Sequence, residues 1–179
     1  MTSYVALLRA VNVSGQNKIA MADLRRQLAS VGYHDVTTYV QSGNVVFRIA
    51  STPEATVVRD LEREIHRGFG LRVTVLVRTK AQLQEIGSRN PFLRRDADPT
   101  TLYVTFLAAR PSPAAVKALA AKAGGPDEAV AHGREVYLYC PGGYGRTKLN
   151  NAFLEKRLDV RGTTRNWKTV TTLGELLNA

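Results

Sequence analysis

The stretch Cys140-Pro141-Gly142-Gly143-Tyr144-Gly145-Arg146-Thr147-Lys148 gathers glycines, a hydroxyl and two cations into one short run. It follows an apolar, β-compatible segment (Val136 to Tyr139) and leads into a periodic segment (Thr147 to Leu158) expected to be helical. A glycine-rich turn that opens a helix offers unpaired backbone N–H groups and the positive end of the helix dipole. With Arg146 and Lys148 beside it, such a turn could hold an anion, foremost a phosphate. The run is not the nucleotide-binding P-loop: Cys140 stands where its first glycine belongs, and Arg146 where its lysine belongs. Otherwise the glycines merely turn a corner and Arg146 is solvated.

Arg165-Asn166-Trp167-Lys168 holds the only tryptophan. An aromatic beside two cations could stack a base or bracket a phosphate, but Trp167 reads first as a core anchor for the last helix. Arg9 lies in an otherwise apolar run, where a charge needs a partner or a ligand. Asn12 and Lys18 follow it in a polar loop, and Gln41, Ser42 and Asn44 surround a second tight turn.

Much chemistry is missing. His34, His66 and His132 have no metal-type spacing, no acidic pair stands out as an acid/base couple, and no Ser-His-Asp arrangement is visible, so neither metal nor cofactor is expected. The lone Cys140 excludes an internal disulfide and is read as a strand-end residue rather than a nucleophile. No apolar run reaches membrane-spanning length and no signal peptide is visible, which with the single cysteine points to the cytoplasm. The net charge of +10 favours polyanionic partners, but it is spread along the chain, with only pairs such as Arg25-Arg26 and Arg94-Arg95.

The elements that must position these residues follow from periodicity. Tyr4 to Val11 reads as a central strand. Met21, Leu24, Leu28 and Val31 mark one helix face ending at Gly32. Val36 to Gln41 and Asn44 to Ile49 read as a hairpin turning at Ser42-Gly43. Ser51 and Glu54 form a capping-box pattern before a helix with the stripe Val57, Leu61, Ile65 and Phe69. Arg72 to Arg78 closes the unit as a strand. A short helix (Lys80 to Ser88) and an irregular stretch (Asn90 to Pro99) lead to a second round: a strand from Thr101 to Ala108, an alanine-rich helix from Ser112-Pro113 that stops at Gly124-Gly125, a hairpin turning at Gly133-Arg134, the glycine loop and its helix, an extended piece (Gly162 to Asn166) and a final helix.

Both rounds read β-α-β-β-α-β, the ferredoxin-like order. The expected class is α+β, with two tandem ferredoxin-like subdomains and an extra C-terminal helix: residues 1–79, a connector over 80–99, and residues 100–179. That topology should bring Asn12 to Lys18 beside Gln41 to Asn44, and Tyr144 to Lys148 beside Arg165 to Lys168. An RNA-recognition module of this fold would expose aromatics on its central strands, but Leu7-Leu8-Arg9-Ala10 and Val45-Val46-Phe47-Arg48 offer only Phe47.

Leu8-Arg9-Ala10-Val11-Asn12-Val13, Tyr39-Val40-Gln41-Ser42-Gly43-Asn44-Val45-Val46-Phe47, Tyr144-Gly145-Arg146-Thr147-Lys148-Leu149 and Thr163-Thr164-Arg165-Asn166-Trp167 together resemble the bacterial domain-of-unknown-function family numbered 1697. The resemblance covers nearly the whole chain and implies two ferredoxin-like subunits in tandem. It implies no catalytic residue. Ser14 and Gln16 stand where glycine and lysine are common in the family.

Three functions follow as expectations. The first is binding of a phosphorylated small molecule, nucleotide or nucleic-acid segment in a basic cleft between two lobes. Arg146, Lys148, Arg165 and Lys168, with Tyr144, Gly145, Thr147, Asn166 and Trp167, would lie on one side, and Arg9, Asn12, Lys18, Gln41, Ser42 and Asn44 on the other. The second is an enzyme acting on a phosphorylated small molecule there, through a hydroxyl of Thr147, Ser42 or Tyr144. The third is a structural or interaction protein whose polar runs lock the lobes. No membrane partner is expected.

Overall fold

Alternating apolar residues become two sheets in the computed structural model, which describes residues 1–121 and 125–179. β1 (Thr2–Leu8), β2 (His34–Tyr39), β3 (Asn44–Ile49) and β4 (Val75–Thr79) form the first, in the order β2-β3-β1-β4. β5 (Leu102–Leu107), β6 (Glu128–His132), β7 (Glu135–Tyr139) and β8 (Gly162–Asn166) form the second, in the order β6-β7-β5-β8. Every neighbouring pair is antiparallel. The helices are α1 (Met21–Ser30), α2 (Glu54–Phe69), α3 (Lys80–Ser88), α4 (Pro113–Ala121), α5 (Asn151–Leu158) and α6 (Trp167–Leu176). The fold among the described residues is therefore mixed α+β, two four-stranded antiparallel sheets with six helices.

The chain divides into two compact units, Met1–Glu85 with Thr172–Ala179, and Ile86–Thr171. In the first, the period of two along the strands meets the 3.6 period of the helices. Tyr4, Ala6 and Leu8 of β1 and Val45 and Phe47 of β3 share a core with Leu24 and Leu28 of α1 and Val57, Leu61 and Ile65 of α2. Burying each Val, Leu, Ile or Phe among them contributes about 1.5–3 kcal/mol. The last residues join this unit because Leu176 and Leu177 line, with Val46 and Arg48, a cavity of about 380 Å³.

In the second unit, Leu107 of β5 and Val136 and Leu138 of β7 pack with Leu119 of α4 and with Leu154 and Leu158 of α5. The register Val104↔Arg165 puts Arg165 on the opposite face of the sheet from that core, with Val104 and, across β7, Tyr137. All three are buried.

Several boundaries differ from the periodicity reading. β1 stops at Leu8, because Ala10 and Asn12 adopt φ of 55° and 54°, which no extended strand allows. The capping box at Ser51 does not form: Pro53 occupies the N-cap position of α2, with no side-chain cap. α5 begins at Asn151 rather than Thr147, since the glycine loop closes first into a short 3-10 turn, Tyr144–Arg146. The irregular stretch after α3 likewise contains two 3-10 turns, Pro91–Arg95 and Pro99–Thr101. The expected stop of α4 at Gly124 lies outside the described residues.

Candidate functional site

In the first unit the two polar loops do meet, and hydrogen bonds do the joining. The side chain of Asn12 donates to the carbonyls of Ile19 at 2.9 Å and Gln41 at 2.7 Å, and accepts from the Ile19 N–H at 2.9 Å. Asn17 donates to the Ala10 carbonyl at 2.9 Å, and the Leu8 N–H to the Gly43 carbonyl at 2.8 Å. Asn44 is fully buried, its amide donating to the Tyr39 carbonyl and to Ser42 Oγ. Such amides satisfy backbone groups that a loop would otherwise leave unpaired. Residues Val13 to Gln16 form a two-residue hairpin of their own, with positive φ at Ser14 and Gly15 and the Gln16 N–H bonded to the Val13 carbonyl. Lys18, Gln41 and Ser42 are exposed, and Arg9 is half-buried just past β1.

The glycine loop of the second unit spends its backbone in the same way. The N–H groups of Gly143, Arg146 and Thr147 bond to the carbonyls of Cys140, Gly143 and Tyr144. The Leu149 N–H bonds to Thr147 Oγ1 at 3.0 Å, the Asn151 N–H to Tyr144 Oη at 2.8 Å, and the Phe153 N–H to Asn150 Oδ1 at 2.9 Å. The start of α5 is thus capped by protein groups, and the expected nest of free amides is not built there. Thr147 is buried and donates to Asp127 Oδ2 at 2.7 Å, which sets a carboxylate beside the loop. Arg146 and Lys148, flanking Thr147, are exposed and enter no ion pair among the described residues.

Cys140 is completely buried. Burial pushes its thiol pKa up; a hydrogen bond with Thr147 works against that rise, and the Asp127 charge adds to it. A thiol so placed stays protonated at neutral pH and is no nucleophile. Tyr144 leaves its ring against Tyr103, centroids 5.1 Å apart.

At the end of β8 the four-residue run splits. Asn166 Oδ1 accepts from the Thr169 N–H at 2.8 Å and so caps α6. Trp167 is buried, and Lys168 is exposed. Arg165 is buried too, donating to Thr163 Oγ1 at 2.7 Å and the Thr164 carbonyl at 3.1 Å. Burial lowers its pKa to about 10, so the guanidinium remains charged at neutral pH.

β7 ends at Tyr139, opposite Leu102, and β8 at Asn166, opposite Tyr103. The glycine loop and Lys168 therefore leave the same end of the second sheet. Arg146, Lys148 and Lys168 are exposed cations at that end, which also carries the exposed carboxylates of Asp96 and Asp98 just ahead of β5; Arg165 is turned away into a buried face. Central-strand residues on both faces are buried in each sheet, as Val5 and Ala6 are in β1 and Val104 and Thr105 in β5, which removes the open platform of a sheet-face RNA binder.

Sequence reasoning missed Asp127, whose role appears only when β6 is laid beside the loop. It also missed Asn151, whose amide ties α5 to the Gly162 carbonyl at 3.0 Å, and Arg78, 1% exposed in β4. Arg78 had a weaker signal than Arg9, since it ends the apolar run Val75 to Val77 and is followed by Thr79 and Lys80. Among the described residues no cluster of His, Cys, Asp and Glu could hold a metal ion. No helix there is long and apolar enough to cross a membrane.

Residues 1–137 match the model of a family described as a protein of unknown function, DUF1697. Among solved structures, the chain is similar to the conserved bacterial protein SP0830 from Streptococcus pneumoniae, at 23% identity and a TM-score of 0.77, covering 98% of each chain. That likeness is one of fold. A search of curated proteins found no match.

Proposed function

The chain belongs to the DUF1697 family, whose description names no activity, and from the geometry we propose that it binds a phosphorylated ligand at the basic end of its second unit. The ligand is a nucleotide, a sugar phosphate or a short nucleic-acid segment. Arg146, Lys148 and Lys168 contact its phosphates, and the exposed edge of Tyr144 packs on its base or sugar. One observation carries the reading: three exposed cations leave one end of a sheet without an acidic partner among the described residues. The net charge of +10 supports it through long-range attraction. Asp127 bounds it, because a carboxylate close by disfavours a deeply seated anion and favours contact through the outward-facing side chains.

The strand orders β2-β3-β1-β4 and β6-β7-β5-β8 support assigning each unit to the ferredoxin-like class. The absence of disulfide-forming cysteine pairs in the sequence supports a cytoplasmic setting.

A second reading has its own observation. Asn12, Asn17, Asn44, Thr147 and Asn166 all spend side-chain groups inside the protein. That use suits a structural or interaction protein, in which the signature runs serve the fold. A thermal-shift panel of inorganic phosphate, nucleotides, sugar phosphates and short oligonucleotides separates the two. A rise in Tm with one class, absent in Arg146→Ala, is the result the binding reading predicts. A flat panel favours the interaction protein.

A further inference from the structure

Thr147 sits between the two cations of the loop, yet its own hydroxyl is wholly occupied. It donates to Asp127 Oδ2 at 2.7 Å, accepts the Leu149 N–H at 3.0 Å, and meets the buried Cys140 thiol. Thr147 is 7% exposed and Cys140 is 0% exposed. This hydroxyl lies at a junction of three segments: the entry to β6 at Asp127, the end of β7 at Cys140, and the approach to α5 at Leu149. Thr147 has extended backbone, φ −72° and ψ 142°, in which successive side chains point to opposite sides, so its neighbours face away from its buried hydroxyl. Arg146 and Lys148 are indeed exposed, whereas Leu149, the next apolar residue, is buried in the core of the unit. The loop's other side-chain anchor is Tyr144, whose hydroxyl accepts the Asn151 N–H and whose ring packs on Tyr103, while a Cβ at Gly142, Gly143 or Gly145 would meet nothing among the described residues within 4 Å. The loop is open on its outer side and held from beneath.

We propose that the Thr147–Asp127 hydrogen bond is a latch that positions the basic loop, making Thr147 and Asp127 positioning residues rather than ligand contacts. The inference rests on the anion-binding reading for its purpose, but the latch itself can be tested apart from any ligand. Cutting it frees residues 145–148, beyond the Tyr144 anchor, to move as a local unit, draws Arg146 and Lys148 off the phosphate positions, and opens a path to Cys140, on which the Thr147 hydroxyl rests.

The chain's single cysteine makes that opening measurable. In the wild type, Cys140 reacts with a thiol reagent such as 5,5′-dithiobis(2-nitrobenzoic acid) only slowly. In Thr147→Val, which removes the donor, and Asp127→Ala, which removes the acceptor, the rate rises about tenfold or more, the cost of losing a hydrogen bond to a charged group. Thr147→Ser restores the slow rate. The increase must be insensitive to low urea, because local opening exposes little surface, whereas opening through global unfolding accelerates steeply with denaturant.

The second arm follows binding of a short fluorescein-labelled single-stranded oligonucleotide at several salt concentrations. Thr147→Val lowers the slope of log affinity against log salt by about two, the same change as the Arg146→Ala/Lys148→Ala double variant, although both cations remain in the chain. Simple destabilisation does not move that slope. A thiol rate in Thr147→Val equal to wild type, or one rising only with urea, overturns the latch. An unchanged salt slope in Thr147→Val, with the double variant weakened, overturns its positioning role. An oligonucleotide that binds wild type and double variant alike overturns the underlying reading instead, and the thiol arm then decides the latch alone.

Discussion

The polar cluster of the first unit and the glycine loop before α5 are similar in composition, each combining Asn, Gly, a hydroxyl side chain and a cation. They are built to different ends. In the cluster, Asn12, Asn17 and Asn44 turn inward and satisfy carbonyls, while strained residues such as Ala10 and Val40, with φ of 55° and 50°, are held in place by those bonds. In the glycine loop, one hydroxyl fastens the backbone and the cations are left outside. Amides within hydrogen-bonding reach of their own backbone are consumed by the fold. Guanidinium and ammonium groups are too costly to bury unpaired and remain for recognition unless a strand carries them inward, as β8 carries Arg165.

Glycine gives the sharpest contrast. Gly43 and Gly143 share a φ of 85°. A Cβ on Gly43 would lie 2.5 Å from Val11 Cγ2 and 2.7 Å from Leu8 Cβ, whereas one on Gly143 would meet nothing within 4 Å. Gly43→Ala combines overpacking with a strained φ and is expected to cost about 3–5 kcal/mol. Gly143→Ala is expected to cost about 1–2 kcal/mol, from the backbone alone. Urea unfolding of both variants checks this; equal losses would erase the distinction between a packed and an open loop. Asn12→Ala comes next, at about 2–3 kcal/mol, because three backbone partners lose their bonds. Arg146→Ala and Lys148→Ala should each change stability by less than about 0.5 kcal/mol, since neither side chain supports the fold.

The same contrast extends to two tyrosine hydroxyls. Tyr33 Oη in the first unit is buried with no hydrogen-bond partner among the described residues, whereas Tyr137 Oη in the second donates to the Ile86 carbonyl at 2.8 Å. Tyr33→Phe should be neutral or stabilising by up to about 1 kcal/mol, and Tyr137→Phe destabilising by about 1–2 kcal/mol. Burial, with the Asp60 and Glu64 charges next, pushes the Tyr33 pKa up to about 12 from 10.0. For an acid with a raised folded pKa, the folded state holds its proton longer than the unfolded state, so stability falls as pH rises from about 10 to about 12. Tyr33→Phe should flatten that decline in a pH series of urea midpoints; an unchanged slope would show that Tyr33 is not its source.

Most elements were legible from periodicity because their strands and helices bury apolar residues at unambiguous spacing. Met21, Leu24 and Leu28 line the buried face of α1, and the hairpin joining β6 to β7 turns at Gly133-Arg134. The convergence of Asn12 with Gln41 followed from strand order alone. What escaped was the chemistry of the loops. Nothing local distinguishes an Asn that caps a helix, as Asn166 does, from one that greets a ligand. Asp127, twenty residues from Thr147, reaches it only through the pairing of β6 with β7. Composition shows that Arg146 and Arg165 are cations; only strand register shows that one faces solvent and the other a buried face.

The most direct test of anion recognition at the second unit uses Trp167, buried at the head of α6 where β8 ends. Its fluorescence would be followed at near-physiological salt while nucleotides, sugar phosphates, inorganic phosphate and short oligonucleotides are titrated into the wild type and the Arg146→Ala/Lys148→Ala variant. A saturable change with one ligand class, weakened about tenfold or more in the variant at unchanged stability, is the expected result. Saturable binding of equal affinity in both proteins would contradict it.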